Sequence, residues 1–180
     1  MKKENKTALS TDFVSILCKT RRMNLHKIFL IFFSLFPALC FAQLQGKVVS
    51  VADGDTITVL TDEKKQIKVR LAEIDAPERG QAYGQRSRET LSTLVAGKGV
   101  TVNETDTDRY KRVLGFVLID GINVNYEMVR QGMAWCYTQY LARDSICPPI
   151  EKEARGSHRG LWAEKEPTPP WEFRKRKRSG

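Results

Sequence analysis

Three short runs of β-branched residues, close together in the sequence, constrain the fold more than any other feature of this chain. They cover residues 46–51, 56–60 and 66–74, and each shows part of the apolar and polar alternation of a half-buried strand. The polar segment 61–65 predicts a turn between the second and third runs. The sequence therefore predicts a three-stranded meander.

Helix and strand signals follow the meander. The segment 83–95 has few helix breakers and predicts a helix that Gly97 ends. The later patterns predict strands at 100–102 and 113–119 with a polar loop at 103–111 between them, a helix at 124–131 and a weaker helix at 148–155. Five strands with a helix between the third and fourth, and about three helices in all, predict an α+β, mainly β fold with the element order of an oligonucleotide-binding (OB) barrel.

The N-terminal segment is typical of a targeting sequence. An apolar run at 28–42 follows a basic stretch, which is the pattern of a secretory signal peptide, and we expect cleavage before Gln43. The run is shorter than the roughly 20 residues of a membrane-spanning helix, and Pro37 interrupts it. We therefore expect an exported protein, periplasmic or secreted, with no stable membrane association after cleavage.

Two alternatives concern the same segment. Cys40 invites a lipoprotein interpretation, but residues 38–39 lack the small residue that such a site favours. Met23 would begin a signal peptide of more ordinary length than Met1 does. Met23 is therefore a candidate alternative start.

The positive charge of the chain is concentrated at its ends. The formal net charge is +9, but from residue 43 onward there are 23 Lys and Arg against 19 Asp and Glu. The run 174–178 supplies five of those positive charges, which leaves 18 against 19 for residues 43–173. The body is thus not a strongly basic nucleic-acid binder by composition. The basic tail is either a solvated, disordered end or a non-specific tether to polyanions.

Two cysteines, Cys136 and Cys147, follow the predicted cleavage point. Because an exported protein folds in an oxidising compartment, we expect a disulfide bond between them. Two free buried thiols are the alternative, and counting free thiols in the denatured protein distinguishes the two.

Two aspartates one residue apart interrupt an otherwise apolar extended stretch at 51–60. Asp-Gly is a common hairpin dipeptide, so Asp53 and Gly54 predict a turn by themselves. Asp55 has a partner later in the chain, where Asp75 follows a strand and the turn at Pro77 presents Glu78. Two carboxylates with backbone carbonyls and water form the oxygen set that calcium prefers, and the sequence offers no histidine or cysteine cluster for a softer metal.

A basic and aromatic cluster lies at 106–112. Arginine makes a planar, bidentate contact with phosphate, and tyrosine stacks on a base or sugar, so this loop suits a polynucleotide.

These blocks, taken in order, resemble the staphylococcal nuclease family of secreted, calcium-dependent phosphodiesterases built on an OB barrel. The resemblance covers roughly residues 46–162. It rests on the blocks at 53–56, 70–78 and 108–112, with further similarity at 129–134 and 160–162. Together with the signal-peptide and basic-tail patterns, it predicts a leader at 1–42, a nuclease-like catalytic domain at 43–163 and a Pro-rich linker with a basic tail at 164–180.

The resemblance also implies a role for each site residue. One Ca²⁺ per chain would bind the carboxylates of Asp55 and Asp75 and the backbone carbonyl of Ala76, a position where the family often has threonine. The remaining implied roles are general base for Glu78, phosphate contacts for Arg70 and Arg112, and a neighbouring phosphate or nucleoside contact for Arg109 and Tyr110. Lys111 stands where the family commonly has glycine, and it either strains the loop or adds a phosphate contact.

The implied function is that of an exported, calcium-dependent, sugar-non-specific endonuclease, a hydrolase of single-stranded DNA and RNA that leaves 3′-phosphate ends. We expect a monomer. One alternative is a catalytically inactive OB module that binds single strands. A structural protein of the envelope, held by its tail or an uncleaved leader, is a second.

Overall fold

The computed structural model describes residues 43–179 of the 180-residue chain, so the predicted signal peptide lies outside the described residues. The described part contains eight strands and four α-helices, with two short 3-10 helices. The strands are β1 (Leu44–Val51), β2 (Thr56–Leu60), β3 (Gln66–Leu71), β4 (Ile74–Asp75), β5 (Gly99–Thr107), β6 (Val113–Ile119), β7 (Ile122–Asn123) and β8 (Trp135–Cys136). The helices are α1 (Gly84–Val95), α2 (Val124–Arg130), α3 (Cys147–Gly156) and α4 (Pro170–Ser179).

Five of the strands close into a barrel, which confirms the predicted mainly β, OB-type fold. The strands are ordered β3-β2-β1-β5-β6, and β3 also pairs with β6 in parallel so that no edge remains between them. The meander predicted from the first three runs is present as antiparallel pairs β1–β2 and β2–β3. The barrel closure brings the ends of β2 and β3 next to the loop before β6.

Two boundaries differ from the predictions. The third strand ends at Leu71, and Ile74–Asp75 forms the separate strand β4, which pairs with β8. The fourth barrel strand continues to Thr107, across residues predicted as a loop. Its last five residues are polar and exposed, and pairing with β6 keeps them extended without any apolar alternation.

The barrel core consists of β-branched and aliphatic side chains from the strands, closed by apolar residues of α1 and α2. Asn125 of α2 is a fully buried polar residue packed against this core. Its side chain accepts the N–H of Val117 and donates to the carbonyls of Ala72 and Gly115. These bonds satisfy a buried amide and fix α2 against the segment that leads into β4. The most fully buried side chains include Ile57, Val59, Val69, Leu71, Leu91, Val102, Val117 and Met128.

A disulfide bond joins Cys136 of β8 to Cys147 at the start of α3. The two cysteines are 11 positions apart in the sequence, and the bond holds α3 against β8, the strand that pairs with β4. Both cysteines are buried.

We expect the double variant Cys136→Ala/Cys147→Ala to lose about 3 kcal/mol of unfolding free energy, mainly because the unfolded chain regains loop freedom. Urea denaturation of the oxidised wild type, the reduced wild type and the variant measures this. Equal midpoints for the three samples would contradict it.

The C-terminal segment is a helix, which neither interpretation of the basic tail anticipated. Helix α4 begins at Pro170, a favourable residue at a first helical position, and the amide of Gln81 donates to the carbonyl of Thr168 just before it (2.7 Å). Trp171 stacks on Tyr137, with ring centroids 5.6 Å apart and planes 12° apart, and it meets Trp135 edge-on. The idea of a disordered end is therefore wrong for residues 170–179.

Within residues 43–179, no helix has the length and apolar character needed to cross a membrane.

Candidate active site

The loop between β1 and β2 presents Asp55. The side chain of Asp53 accepts the backbone N–H of Asp55 (3.1 Å), which forms a local turn at this point. Gly54 between them touches the rest of the fold so closely that a Cβ would lie 1.9 Å from the hydroxyl oxygen of Ser87 on α1. The Asp-Gly-Asp sequence thus combines a turn with close packing, and it directs Asp55 inward.

Asp55 is a buried carboxylate with a full set of partners. Oδ2 accepts the N–H of Ala76 (2.9 Å), and Oδ1 accepts Arg70 (2.6 Å) and the hydroxyl of Thr56 (3.0 Å). Burial raises the pKa of Asp55 above its ordinary value, although Arg70 acts in the opposite direction.

Arg70 connects the two aspartates of the predicted metal site. It stands opposite Thr56 in the β2–β3 register, and its two terminal nitrogens donate to Asp55 (2.6 Å) and Asp75 (2.8 Å). Burial by itself would lower the pKa of Arg70, but the two carboxylates outweigh it and raise the pKa. This geometry brings carboxylates that are 20 residues apart in sequence to one guanidinium.

Glu78 lies at the turn after β4. Its backbone N–H donates to the side chain of Gln81 (3.0 Å). The Glu78 carbonyl oxygen also packs directly on Gly84, because a Cβ at Gly84 would lie only 2.1 Å from it. The start of α1 therefore fixes this turn. The Glu78 carboxylate is more than one third exposed, so it is accessible to solvent in a way that Asp75, at 0%, is not.

The loop before β6 is organised by Asp108. This carboxylate accepts the backbone N–H groups of Tyr110 (2.8 Å) and Arg112 (3.0 Å), and also the Arg112 guanidinium (2.8 Å). Partial desolvation by itself would raise the pKa of Asp108, but these donors outweigh it and lower the pKa below its ordinary value. The Arg112 side chain is thereby held beside Thr56 (3.4 Å), at the edge of the Asp55 site.

Lys111 has a left-handed backbone conformation, with φ at 61°, which is the conformation that glycine adopts most easily. Its side chain is exposed and does not line the cleft that Asp55 and Arg112 line. The hydrogen bonds that Asp108 accepts from Tyr110 and Arg112, on either side of Lys111, hold the loop in this conformation.

For Lys111→Gly, we expect the unfolding free energy to change by no more than about 1 kcal/mol, because relief of left-handed strain offsets the added freedom of the unfolded chain. The nuclease activity that the family resemblance implies should be retained, since Asp108 still positions Arg112. Lys111→Val, a β-branched residue at the same φ, should be clearly less stable. Urea denaturation and a cleavage assay test this, and a large loss of activity in the glycine variant would assign Lys111 a direct role.

The site also contains a residue that sequence reasoning missed. Arg174 of α4 donates to both oxygens of Asp75 (3.1 and 2.7 Å) and to Glu78 (2.7 Å). The bonds to Asp75 and Glu78 raise the pKa of Arg174, despite partial burial. The one available signal was the pair of aromatic residues, Trp171 and Phe173, directly before the basic run.

A cleft of about 550 Å³ joins these groups. Asp55 and Glu78 form its acidic side. Aromatic rings from three other segments also line it: Tyr110, Tyr137 with Tyr140, and Trp171. Tyr110 is 65% exposed and contacts the Arg109 guanidinium, which lies 4.9 Å from its ring centroid. The predicted residues that line the cleft are Asp55, Arg70, Ala76, Glu78, Arg109, Tyr110 and Arg112.

Comparison with known proteins gives the same family as the sequence motifs at this cleft. The family model described as staphylococcal nuclease homologue matches residues 68–164, which is more than half of the chain. This chain belongs to the staphylococcal nuclease family.

Individual relatives extend the match beyond the family model. A protein named uncharacterized endonuclease from Escherichia coli is 49% identical over 148 residues, which cover 82% of this chain and 95% of the relative. A protein of the same name from Haemophilus influenzae is 44% identical over 149 residues, 83% of each chain. A micrococcal nuclease from Shigella flexneri is 42% identical over 145 residues, 75% of this chain and 83% of the relative. Together they support a nuclease function, and hence nucleic acid as the substrate of this staphylococcal nuclease homologue.

The residues present fit a hard divalent cation. Asp55 and Asp75 offer carboxylate oxygens at one buried point, and Ala76, whose carbonyl the family resemblance implies as a ligand, directly follows Asp75. Within residues 43–179, no group of three or more His, Cys, Asp or Glu side chains is placed to hold a metal ion. A cation at this point would therefore complete its coordination with backbone oxygens and water.

Proposed function

We propose that this protein is a calcium-dependent endonuclease that hydrolyses phosphodiester bonds in single-stranded DNA and RNA without discriminating between the sugars, and that it leaves 3′-phosphate ends. The observation that carries the proposal is the convergence of Asp55 and Glu78 with Arg70 and Arg112 at one cleft, where Arg70 also binds the buried Asp75. The paired carboxylates of Asp55 and Asp75 suit a bound cation, Glu78 suits a general base, and the arginines suit a phosphate.

Bound calcium, held by Asp55, Asp75 and the Ala76 carbonyl, would act as a Lewis acid toward a phosphate oxygen. Attack on a phosphodiester adds negative charge to a group that already repels nucleophiles. Arg70 and Arg112 would bind the phosphate oxygens as that charge develops, and Arg112 would stabilise the leaving 5′ oxygen. Because Asp108 fixes the Arg112 guanidinium before substrate arrives, little reorganisation is needed.

Glu78 would serve as the general base. It would accept a proton from a water molecule whose oxygen bonds to phosphorus, while the bond from phosphorus to the 5′ oxygen breaks. The products are a 3′-phosphate and a 5′ oxygen that takes a proton from solvent. The exposure of Glu78 in the cleft supports access of both water and substrate.

The lining of the cleft supports a single-stranded substrate and tolerance of both sugars. The groups available are guanidinium ions and aromatic rings such as Tyr110, Tyr137 and Tyr140. These bind phosphates and base faces, which DNA and RNA share, and a base can reach an aromatic ring only when it is unpaired.

We also propose that the protein is exported through its N-terminal signal peptide, to the periplasm or the medium, and acts as a monomer. The disulfide bond supports export, because such bonds persist in oxidising compartments.

The substrate proposal is tested by release of acid-soluble nucleotides from single-stranded DNA, RNA and duplex DNA, with calcium, with magnesium or with chelator. The protein is produced from its full coding sequence. We expect cleavage of both single-stranded substrates with calcium only, and slower cleavage of the duplex. Tight binding without cleavage would favour the inactive binding module instead, and cleavage of one sugar type alone would contradict the lack of sugar discrimination.

A further inference from the structure

The C-terminal helix α4 occupies the catalytic cleft. Arg174 makes three charge-assisted hydrogen bonds, two to Asp75 and one to Glu78. These two residues are a proposed metal ligand and the proposed general base. Arg174 thus contacts both kinds of catalytic group at once.

Asp75 is not accessible to solvent while Arg174 is in place. Its side chain has 0% exposure; Oδ1 accepts N–H groups of both Arg70 and Arg174, and Oδ2 accepts an N–H group of Arg174. A cation arriving from solvent must displace one of the two. Arg70 belongs to barrel strand β3 and its side chain is 16% exposed, whereas Arg174 lies on α4, outside the barrel, and its side chain is 34% exposed. Arg174 is therefore the group that can withdraw.

The same helix covers an aromatic surface of the cleft. Trp171, three residues before Arg174, stacks on Tyr137, and both rings line the cleft with Tyr140. A stacked indole takes a ring face on which an unpaired base could otherwise stack. A second point of attachment is the bond from Gln81 to the carbonyl of Thr168.

The charges of the cleft favour exchange of Arg174 for a divalent cation. Asp55, Asp75 and Glu78 carry three negative charges, and Arg70 and Arg174 compensate two of them. Replacing Arg174 by a divalent cation compensates all three. Release of α4 also frees a helix with five consecutive basic residues, 174–178, which a polynucleotide attracts.

We propose that α4 is a built-in inhibitor of the active site, in which Arg174 competes with the divalent cation for Asp75 and Glu78. Trp171 holds the helix in the inhibitory position by covering Tyr137. Binding of the cation, followed by the polynucleotide, releases the helix. This inference rests on the metal site of the proposed function.

Calcium titration calorimetry on the protein produced from its full coding sequence tests the competition. Arg174→Ala should bind calcium roughly tenfold more tightly than wild type, since charge-assisted hydrogen bonds must otherwise be broken. Arg176→Ala is the matched control, because it removes the same charge from the same helix at a side chain that is 70% exposed and pairs with Glu172 (3.5 Å) rather than with Asp75 or Glu78. Its calcium affinity should equal that of wild type.

A second variant and a second readout separate competition from a change in folding. Trp171→Ala leaves Arg174 in place but weakens the docking of α4, and it should also bind calcium more tightly. Digestion with endoproteinase Lys-C, which cleaves after Lys175 and Lys177, should be slow in wild type, faster when calcium is added, and fast in Arg174→Ala without calcium.

The outcomes are distinct. Equal calcium affinities in wild type, Arg174→Ala and Trp171→Ala would overturn the inference and leave the metal site intact. Weaker calcium binding in Arg174→Ala would overturn it as well and make Arg174 a supporting residue of the site. Absence of calcium binding in every folded variant would contradict the proposed metal site itself, and with it the competition.

Discussion

Replacing Glu78 by glutamine is expected to reduce phosphodiester cleavage by a factor of at least ~10² while calcium binding persists. Glutamine keeps the shape of the side chain and its hydrogen bond to Arg174, but it cannot accept the proton of the attacking water. The measurement combines single-turnover cleavage of a labelled oligonucleotide with calcium titration calorimetry on the same preparations.

Glu89→Gln is the matched control for this variant, because Glu89 is exposed on α1 and its carboxylate accepts a hydrogen bond from Gln85 of the same helix, away from the cleft. It should retain full activity. If Glu78→Gln lost calcium binding and turnover to the same extent, Glu78 would be assigned to metal retention or folding. Wild-type turnover in Glu78→Gln would remove the general base from the mechanism.

Arg70→Met is expected to abolish cleavage and to cost about 3 to 5 kcal/mol of unfolding free energy in the presence of chelator. Methionine keeps much of the apolar stem but removes the charge between Asp55 and Asp75, which leaves two buried carboxylates without their shared partner. Calcium binds the same carboxylates, so its addition should restore part of the lost stability. Urea denaturation with chelator and with calcium measures both effects.

Arg112→Met provides the comparison for stability. Arg112 is paired with Asp108 in a partly exposed loop, and its loss should cost no more than about 1 kcal/mol. A similar small cost for Arg70→Met, or no effect of calcium on that variant, would contradict the account of Arg70 as the connection between the two aspartates.

The barrel and most of the site could be predicted because their signals are local. Asp55, Asp75 and Glu78 each lie at the end of a strand or in a turn with its own sequence pattern, such as Asp-Gly or Ala-Pro. Closure of the barrel then brings these ends together. The extension of β5 to Thr107 was missed because its residues are polar and exposed, and only the pairing with β6 keeps them extended.

The position of Arg174 could not be predicted from the sequence. A run of five basic residues is typical of a solvated tail, and nothing in its local pattern specifies a partner. The contact depends on the path of the proline-rich segment before Pro170 and on the stacking of Trp171 on Tyr137, which are both tertiary features.

The most direct test of the central claim is the rate of oligonucleotide cleavage as a function of free calcium, with the end groups of the products identified by mass spectrometry. The account predicts no cleavage in chelator, a saturable rise with calcium, and products that carry 3′-phosphate and 5′-hydroxyl ends. Cleavage that persists in chelator, or products with 5′-phosphate ends, would contradict it.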